Sequence, residues 1–227
     1  MAEQTEYHLL KMVLAELSWA RFVLVRKIKS RLLWGKRLLI RPKLPYNPDG
    51  KIFIHLGCGD IASPEFINVD ARSAPHVHYV RDVCDLSIFP DNYADLVYAC
   101  HILEHIVPEK LVKVLWEWKR ILKVGGILRI SVPDFDKLLA VYEACDRDSE
   151  SIRVLLMGYW DGYNPHCMIF NYKYLSKMLC DVGFGDICKW APQKVDHHNF
   201  EDWASRCILR RGKEFHISLN VEAVKQN

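Results

Sequence analysis

The sequence predicts an α/β fold: a mostly parallel sheet of seven strands with helices on both faces, preceded by an N-terminal helical extension. Three observations predict it. Short apolar runs alternate with segments of helical periodicity, as in parallel sheets whose crossovers are helices. The first run ends in a glycine turn, and acidic residues close the next two. Before about residue 48 the pattern is instead one long basic amphipathic stretch.

The 227-residue chain is half hydrophobic and about a quarter charged, enough for one sizeable core and a small appendage. Residues 1–45 hold ten Lys/Arg against three Glu, a charge of +7, which leaves 21 against 25, or −4, for the remainder. The basicity belongs to the extension rather than to the globular body, which argues against nucleic acid as a partner. Eight scattered cysteines form no C-x-x-C pair, so neither a disulfide framework nor a zinc site is expected, and the location implied is cytoplasmic. The first residues do not resemble a cleavable leader, and Arg21, Arg26, Lys27 and Lys29 interrupt the most apolar stretch that a bilayer span would need.

In chain order, Leu10, Val13, Leu14, Leu17, Leu24, Ile28 and Leu32 recur at helical steps over about residues 9–40. Arg41-Pro42 to Pro45 and Asn47-Pro48-Asp49-Gly50 break the pattern, which places the domains at 1–47 and 48–227. The extension admits three roles: a peripheral contact with an anionic membrane at its inner face through residues 9–40, the arm of a homodimer, or a lid. Trp19, Trp34 and the flanking Lys/Arg favour the membrane. Strands are expected at Lys51–Leu56, Phe66–Asp70, His76–Val80, Asp95–Cys100 and Ile127–Val132, with two later ones at about Phe184–Trp190 and Phe215–Val224. A helix begins at Pro108 and is closed by Gly125-Gly126, and another spans Asn171 to Val182.

In such a sheet ligands collect at the carboxyl ends of the strands. Gly57-Cys58-Gly59 lets backbone approach a ligand closely, Asp70 ends the second strand where a carboxylate accepts ribose hydroxyls, and Asp82 with Val83 offers an acceptor and an apolar wall for a base. The order Leu56-Gly57-Cys58-Gly59, Asp70, Asp82-Val83, Phe89 to Val97, His101-Ile102-Leu103-Glu104-His105 and Leu122-Lys123-Val124-Gly125-Gly126 resembles the small-molecule class I methyltransferases, which depend on S-adenosylmethionine (SAM). More narrowly, His166–Gly183 and Ile217–Ala223 resemble methyltransferases associated with cell-surface polysaccharide synthesis.

The resemblance implies a Rossmann-like class I methyltransferase fold, with SAM held by Leu56, Gly57, Cys58, Gly59, Asp70, Asp82, Val83 and Cys100. It implies methyl transfer, for this subgroup to a hydroxyl of a sugar in a surface glycan or its precursor. A glycan or other small molecule is then the acceptor. Two departures stand out: His55 occupies the place of the family's first acid, and only ten residues separate Gly59 from Asp70.

For proton removal the candidates are His101 and His166, with Asp134 to orient either, and no metal is expected. Glu104 and His105 read as a brace for the following helix. Asp196-His197-His198 with Asp202 reads as a solvated loop. Tyr159, Trp160, Tyr163, Phe170, Tyr172 and Tyr174 are candidates for stacking on a sugar, or for core and lid. Two rivals remain open: a catalytically inactive methyltransferase-like module partnering glycan-assembly enzymes, and a nicotinamide oxidoreductase, which lacks its G-x-G-x-x-G because Ile61-Ala62 follow Gly59-Asp60.

Overall fold

The structure, a computed structural model, describes residues 42–159 and 164–227. The helix expected over residues 9–40, and with it the membrane, dimer and lid roles, lies outside the described residues, as do Trp160 and Tyr163. Residues 42–72 and 76–227 form one compact unit.

Among the described residues the main sheet has seven strands: β1 (Phe53–Leu56), β2 (Phe66–Asp70), β3 (Tyr79–Val80), β4 (Ala94–Cys100), β5 (Leu122–Pro133), β8 (Phe184–Lys189) and β11 (Ser218–Lys225). Two short antiparallel pairs accompany it, β6 (Gly158–Tyr159) with β7 (Asn164–Pro165) and β9 (Cys207–Arg210) with β10 (Lys213–His216). The order in the main sheet is β3-β2-β1-β4-β5-β11-β8. All neighbours are parallel except β11, which runs antiparallel to both β5 and β8. From β1 the chain moves outward to β2 and β3, then returns to the other side of β1 as β4. The crevice of a doubly wound sheet therefore falls at the carboxyl ends of β1 and β4.

All four residues of β1 are buried, as a parallel strand covered on both faces requires. Alternation sends Ile54, Leu56, Ile67, Val69, Val97 and Ala99 to one face and Phe53, Phe66, Leu96 and Tyr98 to the other. The first face is closed by helices. In α1 (Pro108–Ile121), Pro108 sits in the first turn, where a missing N–H costs nothing. Leu111, Val114, Leu115, Trp118 and Ile121 then form one buried stripe, each burial contributing about 1.5–3 kcal/mol. A second helix there, Tyr172–Asp181, starts where the Asn171 side chain accepts from the Tyr174 N–H at 3.0 Å, and buries Leu175, Met178 and Leu179.

The second face is closed differently. The β1–β2 connection, residues 57–65, is shorter than a helical crossover needs. The segment 190–204 lies there instead, with Trp190 and Ala204 buried on Phe53, Phe66, Leu96 and Tyr98, and Val195 and Phe200 packed alongside. This corrects the expectation of a solvated loop at 196–202. His198 and Asp202 are buried, and the Tyr98 hydroxyl donates to Asp202. His198 Nε2 lies 3.3 Å from the Tyr98 Oη and 3.4 Å from Asp202 Oδ1. Burial raises the Asp202 carboxyl, but the bonds from His198 and Tyr98 outweigh it and hold the group below its ordinary range. Of the polar residues that made the segment look like a loop, His198 and Asp202 turn inward onto Tyr98, His197 meets Glu65 Oε2 at 2.8 Å, and Asp196 stays exposed.

Three further differences from the sequence reading concern boundaries. Gly125-Gly126 do not close α1, which ends at Ile121; they lie within β5, where pairing with β4 shifts register between Ala94 and Leu96. The last expected strand is two, because β10 ends at His216 and β11 starts at Ser218. Finally, Phe135–Ala144 forms a helix whose first turn is capped by Asp134, accepting from the Asp136 N–H at 3.2 Å.

Candidate active site

The turn after β1 is a backbone structure. Gly57 and Gly59 take φ +62 and +57, in the region that disfavours side chains. The Gly59 N–H donates to Asp70 Oδ2 at 2.8 Å, and the Cys58 N–H donates to the Val69 carbonyl at 3.2 Å, so the turn is tied to the end of β2. Asp70 Oδ1 accepts from the Arg72 N–H at 2.7 Å and from Arg72 Nε at 3.3 Å. Of a carboxylate's roughly four acceptor positions, about one remains for a ribose hydroxyl.

The two glycines serve different ends. A Cβ at Gly57 would run into Ile102 Cδ1 at 2.0 Å, so Gly57 makes room for the neighbouring turn. A Cβ at Gly59 would meet only Arg72 Nη2, at 3.7 Å, so that backbone lies open to a ligand. An open glycine backbone beside an anchored, buried carboxylate fits the adenosine half of SAM.

The other expected contacts are of several kinds. Asp82 is exposed, and its Oδ1 accepts from the Cys84 N–H at 2.9 Å; the Val83 carbonyl takes the Trp118 indole N–H at 3.0 Å, which fixes that loop to α1. The Leu56 side chain belongs to the helix-covered core, so at the turn it offers backbone only. The Cys100 side chain packs against the cluster on the second face. Burial pushes the Cys58 and Cys100 thiols up, and that of Cys84 to about 12, so none is a ready thiolate. His55, in the place of the family's first acid, is enclosed by Phe66, Tyr98 and Phe200 on the second face, where burial lowers it to about 4 and keeps it neutral.

The turn after β4 is built from side chains. His101 adopts φ +53, unusual for a residue other than glycine, and its N–H donates to the Ser131 carbonyl at 2.8 Å. Ser218 Oγ lies 2.6 Å from the Trp203 carbonyl, to which it must donate, and 2.8 Å from His101 Nε2, from which it accepts. His101 Nδ1 stands 3.2 Å from Glu104 Oε1. Glu104 is fully buried; burial raises its carboxyl, but His101 and His105 more than reverse this and hold it below its ordinary range. The Trp203 ring, 41% exposed, lies 5.8 Å from the His101 ring.

His166 joins this group from the far side of the chain. Its ring centroid is 4.9 Å from that of His105, and the Cys167 and Met168 N–H groups donate to the Glu104 carbonyl at 2.7 and 3.1 Å. Burial lowers the His166 pKa, which keeps the ring neutral. Asp134 does not join it. Its side chain caps the helix at Phe135 and lies 3.9 Å from Lys137 Nζ, and neither His101 nor His166 is a partner of it among the described residues.

The structure thus brings His101, Glu104, His105 and His166 together and leaves Asp134 apart. Sequence reasoning missed Ser218 and Trp203, which carry no local signal, and read Glu104 and His105 as a brace although both stood in view within H-x-L-E-H. Of the aromatic candidates, Phe170 is buried, Tyr174 stacks on it at 5.9 Å, the Tyr172 hydroxyl donates to the Ile187 carbonyl at 3.2 Å, and Tyr159 is exposed.

Residues 56–130 match a protein family described as a methyltransferase domain. No curated protein matches the chain. Among solved structures, a SAM-dependent methyltransferase from Archaeoglobus fulgidus is 16% identical, with 88% of this chain and 94% of that one covered at a TM-score of 0.50. A SAM-dependent methyltransferase from Thermotoga maritima is also 16% identical, with 92% and 95% covered and a TM-score of 0.50. The fold is the Rossmann-like fold of class I methyltransferases, and the family match spans the glycine turn, Asp70, Asp82 and the turn after β4.

Proposed function

We propose that this chain transfers the methyl group of SAM to a hydroxyl of a sugar, in a surface glycan or its precursor. Gly57, Gly59, Asp70 and the Asp82-Val83 loop hold the adenosine half of the cofactor. When bound, SAM supplies an electrophilic methyl group on a sulfonium. What the chain must add is alignment of the acceptor, exclusion of water and a destination for the hydroxyl proton. Those tasks fall to the turn after β4.

The single observation that carries the acceptor class is Trp203. A half-exposed indole beside His101, at the carboxyl edge where the acceptor must lie, offers the flat face on which sugar rings stack. The resemblance of residues 166–183 and 217–223 to polysaccharide-associated methyltransferases supports the same reading. An inner-membrane contact through residues 9–40 would bring the chain to a lipid-linked acceptor, and belongs to the proposal.

Two measurements test it. Calorimetry should show SAM binding, weakened by Asp70→Ala roughly ten- to a hundredfold, the size of one or two hydrogen bonds to a charged group. Incubated with SAM and oligosaccharides released from surface glycans, the protein should yield a product heavier by one methylene, with the methyl on oxygen. Methylation confined to nitrogen or carbon acceptors would remove the sugar from the proposal, and failure to bind SAM would remove all of it.

A further inference from the structure

Glu104 presents a problem that the reading above does not solve. Its carboxylate is fully buried; Oε1 faces only His101 Nδ1, and Oε2 has no hydrogen-bond partner among the described residues. A buried carboxylate with so few donors is costly, and such a group calls for a further partner. What surrounds it is a ring of imidazoles: one oxygen of Glu104 and one nitrogen each of His105 and His166 lie within 4.8 Å of one another, and His101 Nδ1 stands 3.2 Å from Oε1.

The tautomers can be read from the neighbours. His105 Nδ1 is 3.1 Å from the Pro165 carbonyl, which only accepts, so Nδ1 donates there and Nε2 is the ring nitrogen left to face a ligand. That is how an outer carbonyl orients a metal-binding histidine. The bonds from the Cys167 and Met168 N–H groups to the Glu104 carbonyl fix the segment that carries His166 against the turn that carries Glu104 and His105. Ligands at about 2.0–2.2 Å from a tetrahedral ion stand roughly 3.3 Å apart, so side-chain rotations of about an ångström close the cluster on one.

We propose that Glu104, His105 and His166 form a binding site for a divalent transition-metal ion. Two imidazoles and one carboxylate suit a borderline ion such as zinc, cobalt or ferrous iron better than magnesium or calcium, which prefer oxygen throughout. Three protein ligands leave a position open for an oxygen from substrate or solvent. The consequence for catalysis rests on the reading of the acceptor as a hydroxyl: a hydroxyl on the ion loses its proton more readily, which relieves His101, bonded at Nε2 to Ser218 and facing Glu104 at Nδ1, of acting as base.

The test needs neither SAM nor an acceptor, so its failure is distinct from failure of the functional reading. The full chain, stripped with a chelator, is titrated with Co2+ followed by visible absorption, and with Zn2+ followed by calorimetry. One ion per chain is expected. His166→Ala, at a half-buried position, should weaken binding by at least about 100-fold, the upper end of what loss of an outer-shell partner costs, and Glu104→Gln should do the same. His216→Ala, in the β9–β10 hairpin, should leave it unchanged. If Glu104 serves only as a counter-charge for His101, no saturable uptake appears. That result, or uptake undiminished by both His105→Ala and His166→Ala, overturns the proposal.

Discussion

Two turns leave neighbouring parallel strands at the same edge of the sheet, and they are built by opposite means. After β1 the chain turns on Gly57 and Gly59, and Asp70 ties the peptide N–H of Gly59 to the next strand. After β4 it turns on His101, whose left-handed backbone is held by its own ring against Ser218, 117 residues away in sequence, and by Glu104 beneath. The first turn binds with backbone and needs the absence of side chains. The second binds with side chains drawn from three parts of the chain. The turns also touch, since Ile102 of the second occupies the space that a side chain at Gly57 would need.

Gly57→Ala is the strongest way to break this arrangement. A left-handed alanine costs about 1–2 kcal/mol, and pressing Cβ on Ile102 adds about 1–3 kcal/mol of overpacking. Urea unfolding should therefore show a loss of roughly 2–5 kcal/mol. The double variant Gly57→Ala/Ile102→Ala should recover the overpacking part relative to Ile102→Ala alone. A single variant within a few tenths of a kcal/mol of the parent would mean that the turns are not coupled through Ile102.

The first turn was legible because it is contiguous. Glycines, a buried run before them and an acid ending the next strand all lie within the eighteen residues from Phe53 to Asp70, and each has a local backbone reason. The second was only half legible. H-x-L-E-H placed His101 and Glu104 in view, but nothing local says that Ser218 and Trp203 close on His101 or that His166 faces Glu104, because strand pairing across the sheet and the 164–168 segment bring them there. Asp134 misled for the same reason: the end of a strand is where catalytic groups sit, and also where the next helix needs its cap. His198 and Asp202 misled because polar residues read as exposed when their partners, Tyr98 above all, are a hundred residues away.

The floor beneath both turns supplies the second prediction. His55, one residue before Leu56, is buried and lowered to about 4 from an ordinary value of 6.5, burial being the dominant cause. On acidification the unfolded chain protonates first, so stability is whole above about pH 6.5, falls between there and about 4, and changes no further below. The interval corresponds to about 3 kcal/mol. Chemical unfolding at pH 7 and pH 4.5 should show most of that loss in the parent, and His55→Phe, which keeps a ring among Phe66, Tyr98 and Phe200, should remove the larger part of it, His166 being lowered by burial as well. Glu104 acts in the same direction at lower pH: its carboxyl is held below 4.5, so its contribution disappears only as pH falls beneath that value. Identical pH dependence in His55→Phe and parent would show that His55 does not set the acid limit.

For the second turn, His101→Gly separates backbone from ring. Glycine relieves a strain of about 1–2 kcal/mol, yet the change strips Ser218 of a donor and Glu104 of its facing imidazole. Exposing a buried group to that loss costs about 1–3 kcal/mol, so His101→Gly should lie near the parent in stability and His101→Ala about 1–3 kcal/mol below it. If alanine and glycine behave alike, backbone strain has no part in this turn.

Gly59→Ala gives a modest change in stability and the most specific change in binding. The left-handed backbone costs about 1–2 kcal/mol, as at Gly57, but a Cβ here meets nothing closer than Arg72 Nη2 at 3.7 Å, so no overpacking is added. The methyl group instead stands in the space through which a ligand reaches the peptide. Stability should fall by about 1–2 kcal/mol, while SAM affinity measured under native conditions falls by more than that loss explains, since the folded population remains nearly complete. Gly57→Ala should show the reverse, a large loss of stability with a smaller loss of affinity in whatever fraction stays folded. A common ratio of the two losses in both variants would mean that the glycines share one role, and that the open backbone at Gly59 is not the cofactor's point of approach.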